Sequence, residues 1–212
     1  MANAPRTSTR ARNPRGQGER LREALIDAAI ELLADLQDVE ALSVRAVTAR
    51  VGVTPTALYL HFADKDELLV AVKARCFEEL RARVLAAEQQ HANSNPRTQL
   101  HQMILAYIQF AADLPGYYRV LFHTRRGREP KTASLPSNLG ELEWSHTGTL
   151  AFGDLVRGIE RCLPPGRDPF PVALMVWAGE HGYVSLRESS SHFPFPDPTT
   201  YANQLLDAHL TA

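Results

Sequence analysis

Residues 43–69 read SVRAVTARVGVTPTALYLHFADKDELL, and the fold turns on how this stretch is punctuated. Ser43 carries the hydroxyl of a helix N-cap, and Val44, Val47 and Val51 follow it at helical steps. Gly52 ends that helix, because glycine adopts the left-handed backbone of a tight turn without steric penalty. Thr54 stands where a second cap belongs. Pro55 falls at the first helical position, where its missing N–H loses nothing, and a third helix of about two turns runs on through Phe62. Asp64 then caps a long fourth helix carrying Leu68, Leu69, Val72, Phe77, Leu80 and Val84. Two short helices about a glycine turn, with Val47, Val51, Val53 and Leu58 available to lock their angle, have the form of a DNA-reading helix-turn-helix.

Outward from this stretch the helical period persists. Leu21, Ala24, Leu25, Ala28, Leu32 and Leu36 mark an amphipathic first helix that stops around residues 37–40. Downstream, Leu100, Ile104, Tyr107, Ile108 and Ala111 mark a fifth helix, Leu114-Pro115-Gly116 opens a sixth, and two more run over residues 145–163 and 169–187. A short helix near 199–210 closes the chain. Between residues 125 and 144 the polar composition predicts a long loop. No stretch alternates like a strand, so the expected fold class is all-α. The division expected is a basic arm over 1–18, a DNA-binding domain over 19–66 and a helical ligand-binding and dimerisation domain over 67–212.

Composition narrows the function. The net charge is −1, which does not suit a protein that coats nucleic acid by bulk electrostatics. In residues 1–18 the only charged side chains are Arg6, Arg10, Arg12 and Arg15, which reads as a disordered arm, either inert or lying along phosphates. No apolar run is long enough for a membrane span and no secretory signal is evident, so the expected location is the cytoplasm and no membrane partner is expected. The two cysteines, Cys76 and Cys162, have no metal-ligand spacing and read as reduced, buried packing residues. The histidines are scattered, and no phosphate loop or nucleophile motif occurs, so neither a metal, a cofactor nor an enzyme site is expected.

The run from Leu58-Tyr59-Leu60-His61-Phe62 to Lys65-Asp66-Glu67-Leu68-Leu69 resembles the end of the recognition helix and the following capped helix of TetR/AcrR-family regulators. The likeness extends from Leu21 to about Val72 and includes Leu42-Ser43-Val44-Arg45 and the Val51-Gly52-Val53 turn. Thr48 departs from the small apolar residue usual at that helix contact. Further on, Pro115 with Tyr118 to Phe122, and Trp177 with His181-Gly182, resemble the Trp-His-Gly type of C-terminal domain in one branch of that family.

Helical geometry turns Leu58 and Phe62 inward and Thr54, Pro55, Thr56, Tyr59, Leu60 and His61 outward. The resemblance implies phosphate contacts from Tyr59, His61 and Lys65, which position a protein on DNA without reading sequence. Bases are left to Thr54, Pro55, Thr56 and Arg45, a set poor in bidentate readers, so DNA shape shares the discrimination. The family pattern further implies a homodimer through the C-terminal helices, double-stranded palindromic operator DNA, and a small, largely apolar effector in a cavity walled by Tyr107, Phe110, Trp177 and His181 whose binding releases a repressor. A small helical enzyme or ligand carrier with an incidental glycine turn is the rival reading.

Overall fold

The computed structural model describes residues 17–36, 41–122, 147–190 and 192–210. Among these residues the chain is helical without strands, as α1 (Gln17–Asp35), α2 (Val44–Val51), α3 (Pro55–Leu58), α4 (Lys65–Gln90), α5 (Pro96–Asp113), α6 (Pro115–Phe122), α7 (Thr147–Glu160), α8 (Pro169–Ser189) and α9 (Pro198–Leu210). Residues 1–16 of the expected arm and the expected 125–144 loop lie outside the described residues.

Local chemistry sets the helix ends. The Ser43 Oγ accepts from the Ala46 N–H at 3.1 Å, and the Asp64 carboxylate accepts from the Glu67 N–H at 2.8 Å. Glu67 reaches back to accept from the Ala63 N–H, so this one junction satisfies two donors that α4 would otherwise leave unpaired. Asn95 and Asp168 cap α5 and α8 in the same way, each ahead of a proline at the first turn. At the glycine turn, Gly52 has φ 77° and ψ 30°, and the Val53 N–H donates to the Thr48 carbonyl at 2.9 Å.

Four expectations are corrected. The third helix holds a single α-turn, because the Leu58 carbonyl receives both the His61 N–H (2.9 Å) and the Phe62 N–H (3.0 Å) and the chain leaves the helix there as a turn. Thr54 makes no side-chain cap bond. The first helix begins at Gln17, inside the segment assigned to the arm, and ends at Asp35. Cys162 is half-buried, with its thiol directed at the Gly158 carbonyl at 3.4 Å, whereas Cys76 is sealed and burial pushes its thiol up to about 12.

The core runs without a break from the N-terminal helices into the rest. Leu25, Ile26, Ala29, Ile30 and Leu33 of α1 meet Leu42, Val47, Leu58, Phe62, Leu68 and Val72. α4 packs along α5 and also touches α1, α6 and α7, while α8 lies against α7, α5 and α9. The buried Asp154 carboxylate of α7 is held by Arg81 of α4 and by Arg157. That pairing anchors α7 to the long helix that leaves the helix-turn-helix. No described helix is long and apolar enough to cross a membrane.

Candidate nucleic-acid interface and effector site

The α2–α3 unit is fixed from below. Leu58 and Phe62 are sealed under α1, with the Arg22 guanidinium 5.2 Å from the centre of the Phe62 ring. Thr48 is buried where α2 meets its neighbours, and its hydroxyl donates to the Val44 carbonyl at 2.9 Å, so the polar atom is satisfied within its own helix. Arg50 of α2 reaches Glu31 of α1 through Nε at 3.0 Å and Nη2 at 2.7 Å.

Above this base the sequence-predicted residues differ in how far they are exposed. Thr54, Pro55 and Thr56 are exposed, Tyr59 is 54 % exposed and Leu60 74 %, and Arg45 is exposed on α2. His61 is half-buried, with Gly18 in the first turn of α1 close to its ring, so side chain and helix start lie together. Lys65, at the first position of α4, is likewise half-covered.

The four residues expected around an effector divide. Tyr107, Trp177 and His181 converge, and Phe110 does not join them: it is fully buried against Tyr117 of α6, with Arg83 of α4 over its ring. At the convergence the Tyr118 hydroxyl stands 2.7 Å and the Tyr107 hydroxyl 3.3 Å from Nδ1 of His181, which makes one polar knot of two phenols and an imidazole. Phe122 lies 4.8 Å from the His181 ring, and Phe152 of α7 stands edge-on to Trp177 at 5.9 Å. Burial raises both phenols above the ordinary tyrosine value.

Sequence reasoning missed Glu180. It lies three residues past Trp177 on the same face of α8, is 3 % exposed, and has its carboxyl held well above the ordinary glutamate range by desolvation. Its spacing from Trp177 was readable; a buried carboxyl was not, because glutamate is almost never fully buried. Among the described residues no group of metal-ligating side chains is assembled.

Two family models cover most of this architecture. Residues 25–72 match the model for bacterial regulatory proteins of the tetR family, and residues 100–210 match a tetracyclin repressor-like C-terminal domain, which alone spans more than half of the chain. The chain belongs to the TetR family. Its fold is similar to that of a protein of unknown function from Rhodococcus sp. RHA1, 23 % identical over 94 % of this chain and 97 % of that one, with a TM-score of 0.71. A TetR family regulator from Marinobacter aquaeolei VT8 aligns at 17 % identity over 90 % and 95 % of the two chains, with a TM-score of 0.65. The regulator FadR from Bacillus subtilis, solved in complex with stearoyl-CoA, aligns at 16 % over 89 % and 97 %, with a TM-score of 0.64. The family places this chain among DNA-binding, ligand-responsive transcription regulators, which are not enzymes. The rival reading as a helical enzyme is thereby set aside.

Proposed function

We propose that this TetR-family protein is a cytoplasmic repressor that holds a palindromic operator as a homodimer and leaves it when a small, largely apolar effector binds. The observation that carries the reading is the exposure of Thr54, Pro55, Thr56, Tyr59 and Leu60 beside the buried pair Leu58 and Phe62. In this assignment residues 19–66 form the reading head and residues 67–212 the sensing and dimerising part. Tyr59, His61 and Lys65 grip phosphates. Arg45, Thr54, Pro55 and Thr56 face the bases, and Leu60 offers an apolar contact to thymine methyl groups.

Pairing through α8 is supported by its outer face. Leu174, Met175, Ala178 and Leu186 are exposed along one line, and a methyl group on Gly182 in the same line would touch nothing. The aromatic convergence of Tyr107, Trp177 and His181 supports an effector site between α5, α6 and α8, and Phe110 is assigned a packing role. The Trp177, His181 and Gly182 resemblance supports this placement, and FadR, whose fold is similar, forms a complex with stearoyl-CoA.

Gel retardation on the DNA upstream of the protein's own coding sequence tests the reading. Tyr59→Phe removes the hydroxyl of the proposed phosphate contact and should weaken operator binding about tenfold, because hydrogen bonds to charged groups contribute roughly 1.5–3 kcal/mol. Arg45→Ala should in addition blur the preference among operator sequences. Unchanged affinity in both variants would overturn the assignment of this face to DNA.

A further inference from the structure

The last turn of α1 is electrostatically unfavourable on its own. A helix leaves its final carbonyls without intrahelical donors and carries a partial negative charge there, which basic side chains offset. The last turn of α1 holds no basic residue, and Asp35 adds a negative charge to it. The cation comes instead from α6, where Arg119 donates through Nη1 to the Ala34 carbonyl at 2.5 Å.

The same guanidinium faces α8. Its Nε stands 3.4 Å from the carboxylate of Glu188, which lies in the last turn of that helix and is likewise unfavourable at a C-terminus. Arg187, the basic residue of that turn, is directed at the Tyr183 hydroxyl and ring. Arg119 therefore serves two helix ends at once, one in the helix-turn-helix unit and one in the C-terminal part. A guanidinium is planar with donors on fixed sides, so holding a carbonyl by one nitrogen and a carboxylate by another fixes the angle between the two partners. A lysine ammonium, a point of charge on a flexible stem, does not.

We propose that Arg119 is a positioning residue for operator recognition: by joining the end of α1 to the end of α8 it fixes how far each reading head stands from the two-fold axis, and so which half-site spacing the protein accepts. The proposal rests on the reading of α8 as the dimer contact and of α2–α3 as the reading head, and adds what sets the distance between the two heads.

Gel retardation with the full-length protein tests it on three duplexes: the operator that the protein selects from random-sequence DNA, that operator with two base pairs inserted at its centre, and a single half-site. The insertion moves the half-sites roughly 7 Å apart and turns them by about 70°. The unmodified protein should bind the inserted operator about a hundredfold more weakly, since a second head that cannot reach its half-site contributes nothing. Arg119→Ala should narrow that gap about tenfold, the scale of one charge-assisted hydrogen bond, and leave half-site affinity within about twofold. Glu188→Gln keeps the cation on α1 and should narrow the gap about threefold, as an exposed ion pair allows; it also serves as the test should Arg119→Ala fold poorly. The double variant should match Arg119→Ala, because both substitutions break one bridge. Arg119→Lys should recover the melting temperature without recovering the spacing preference.

An unchanged spacing preference in Arg119→Ala and Glu188→Gln, additive effects of the two, or a lysine that restores the preference would overturn the proposal while leaving the paired heads in place. Equal losses on the operator and the half-site would overturn it too, since Arg119 would then only hold the head together. If the unmodified protein bound the native and inserted operators equally, the paired-head reading would fail and the proposal with it.

Discussion

Gly52 is set by its backbone and Glu180 by its burial. A methyl at Gly52 would meet nothing within 4 Å, so any penalty there comes from φ 77° alone. Gly52→Ala should lower the unfolding free energy by about 1–2 kcal/mol, and Gly52→Asn by less, because asparagine tolerates the left-handed region. The urea midpoints of the two variants check the order. At Glu180 the folded state binds its proton more tightly than the unfolded chain does, since burial raises the carboxyl. Its contribution is therefore fully present below the ordinary glutamate value and is lost as pH rises from there through the raised folded value. Glu180→Gln carries no such titration, so its melting temperature should exceed that of the unmodified protein at pH 8 and approach it at pH 5. Thermal melts at the two pH values read this directly, and an equal gap at both would contradict an enclosed ionisable group.

Among elements, α6 connects the two ends of the molecule. One side of it carries Tyr118 and Phe122 toward His181, and the other rests on α1, where Arg119 donates to the Ala34 carbonyl at 2.5 Å. Gly116 allows that approach: a methyl there would stand 2.5 Å from the Ala34 Cβ, a group with no rotamer in which to escape. Gly116→Ala should force the helices apart, lower stability by about 1–3 kcal/mol as overpacking does, and weaken operator binding by displacing α1. Ala34→Gly in the same chain should recover part of both, and a double-mutant cycle on unfolding free energies measures the coupling. No local sequence signal announced this contact, since it joins residues 82 positions apart. The ends of α2, by contrast, were legible, because Ser43 and Gly52 act on their own neighbours. The third helix was read too long because Leu58 and Phe62 keep helical spacing while the backbone between them has already turned. Likewise the exposure of Thr54, Pro55, Thr56, Tyr59 and Leu60 followed from periodicity, while His61 is half-buried against the start of α1, and the company of Tyr118 beside His181 depends on how distant helices pack.

At the scale of the whole molecule, function depends on whether the inner and outer faces of α8 do different work. The inner face buries Val172, Ala173, Val176, Glu180 and Tyr183. The outer face leaves Met175 59 % and Leu186 52 % exposed, with Ala178 and Gly182 between them presenting almost no side chain. Large residues at the ends of a stripe and small ones at its middle let a second helix approach closely, and exposed apolar area of this kind is stabilised by being covered. In the proposed homodimer a second copy of the chain would satisfy both requirements and supply the second reading head that a palindrome needs. Replacing Leu174 and Met175 together by Glu puts four like charges across that two-fold contact and should give a monomer in sedimentation experiments, with the inner-face core and helix content unchanged. Because two linked heads gain roughly 10²–10⁴ in affinity over one, the operator should be bound at least a hundredfold more weakly by the variant, while a single half-site is bound as before. A variant that remains dimeric would move the contact off α8, and a monomer with undiminished operator affinity would mean that one head suffices.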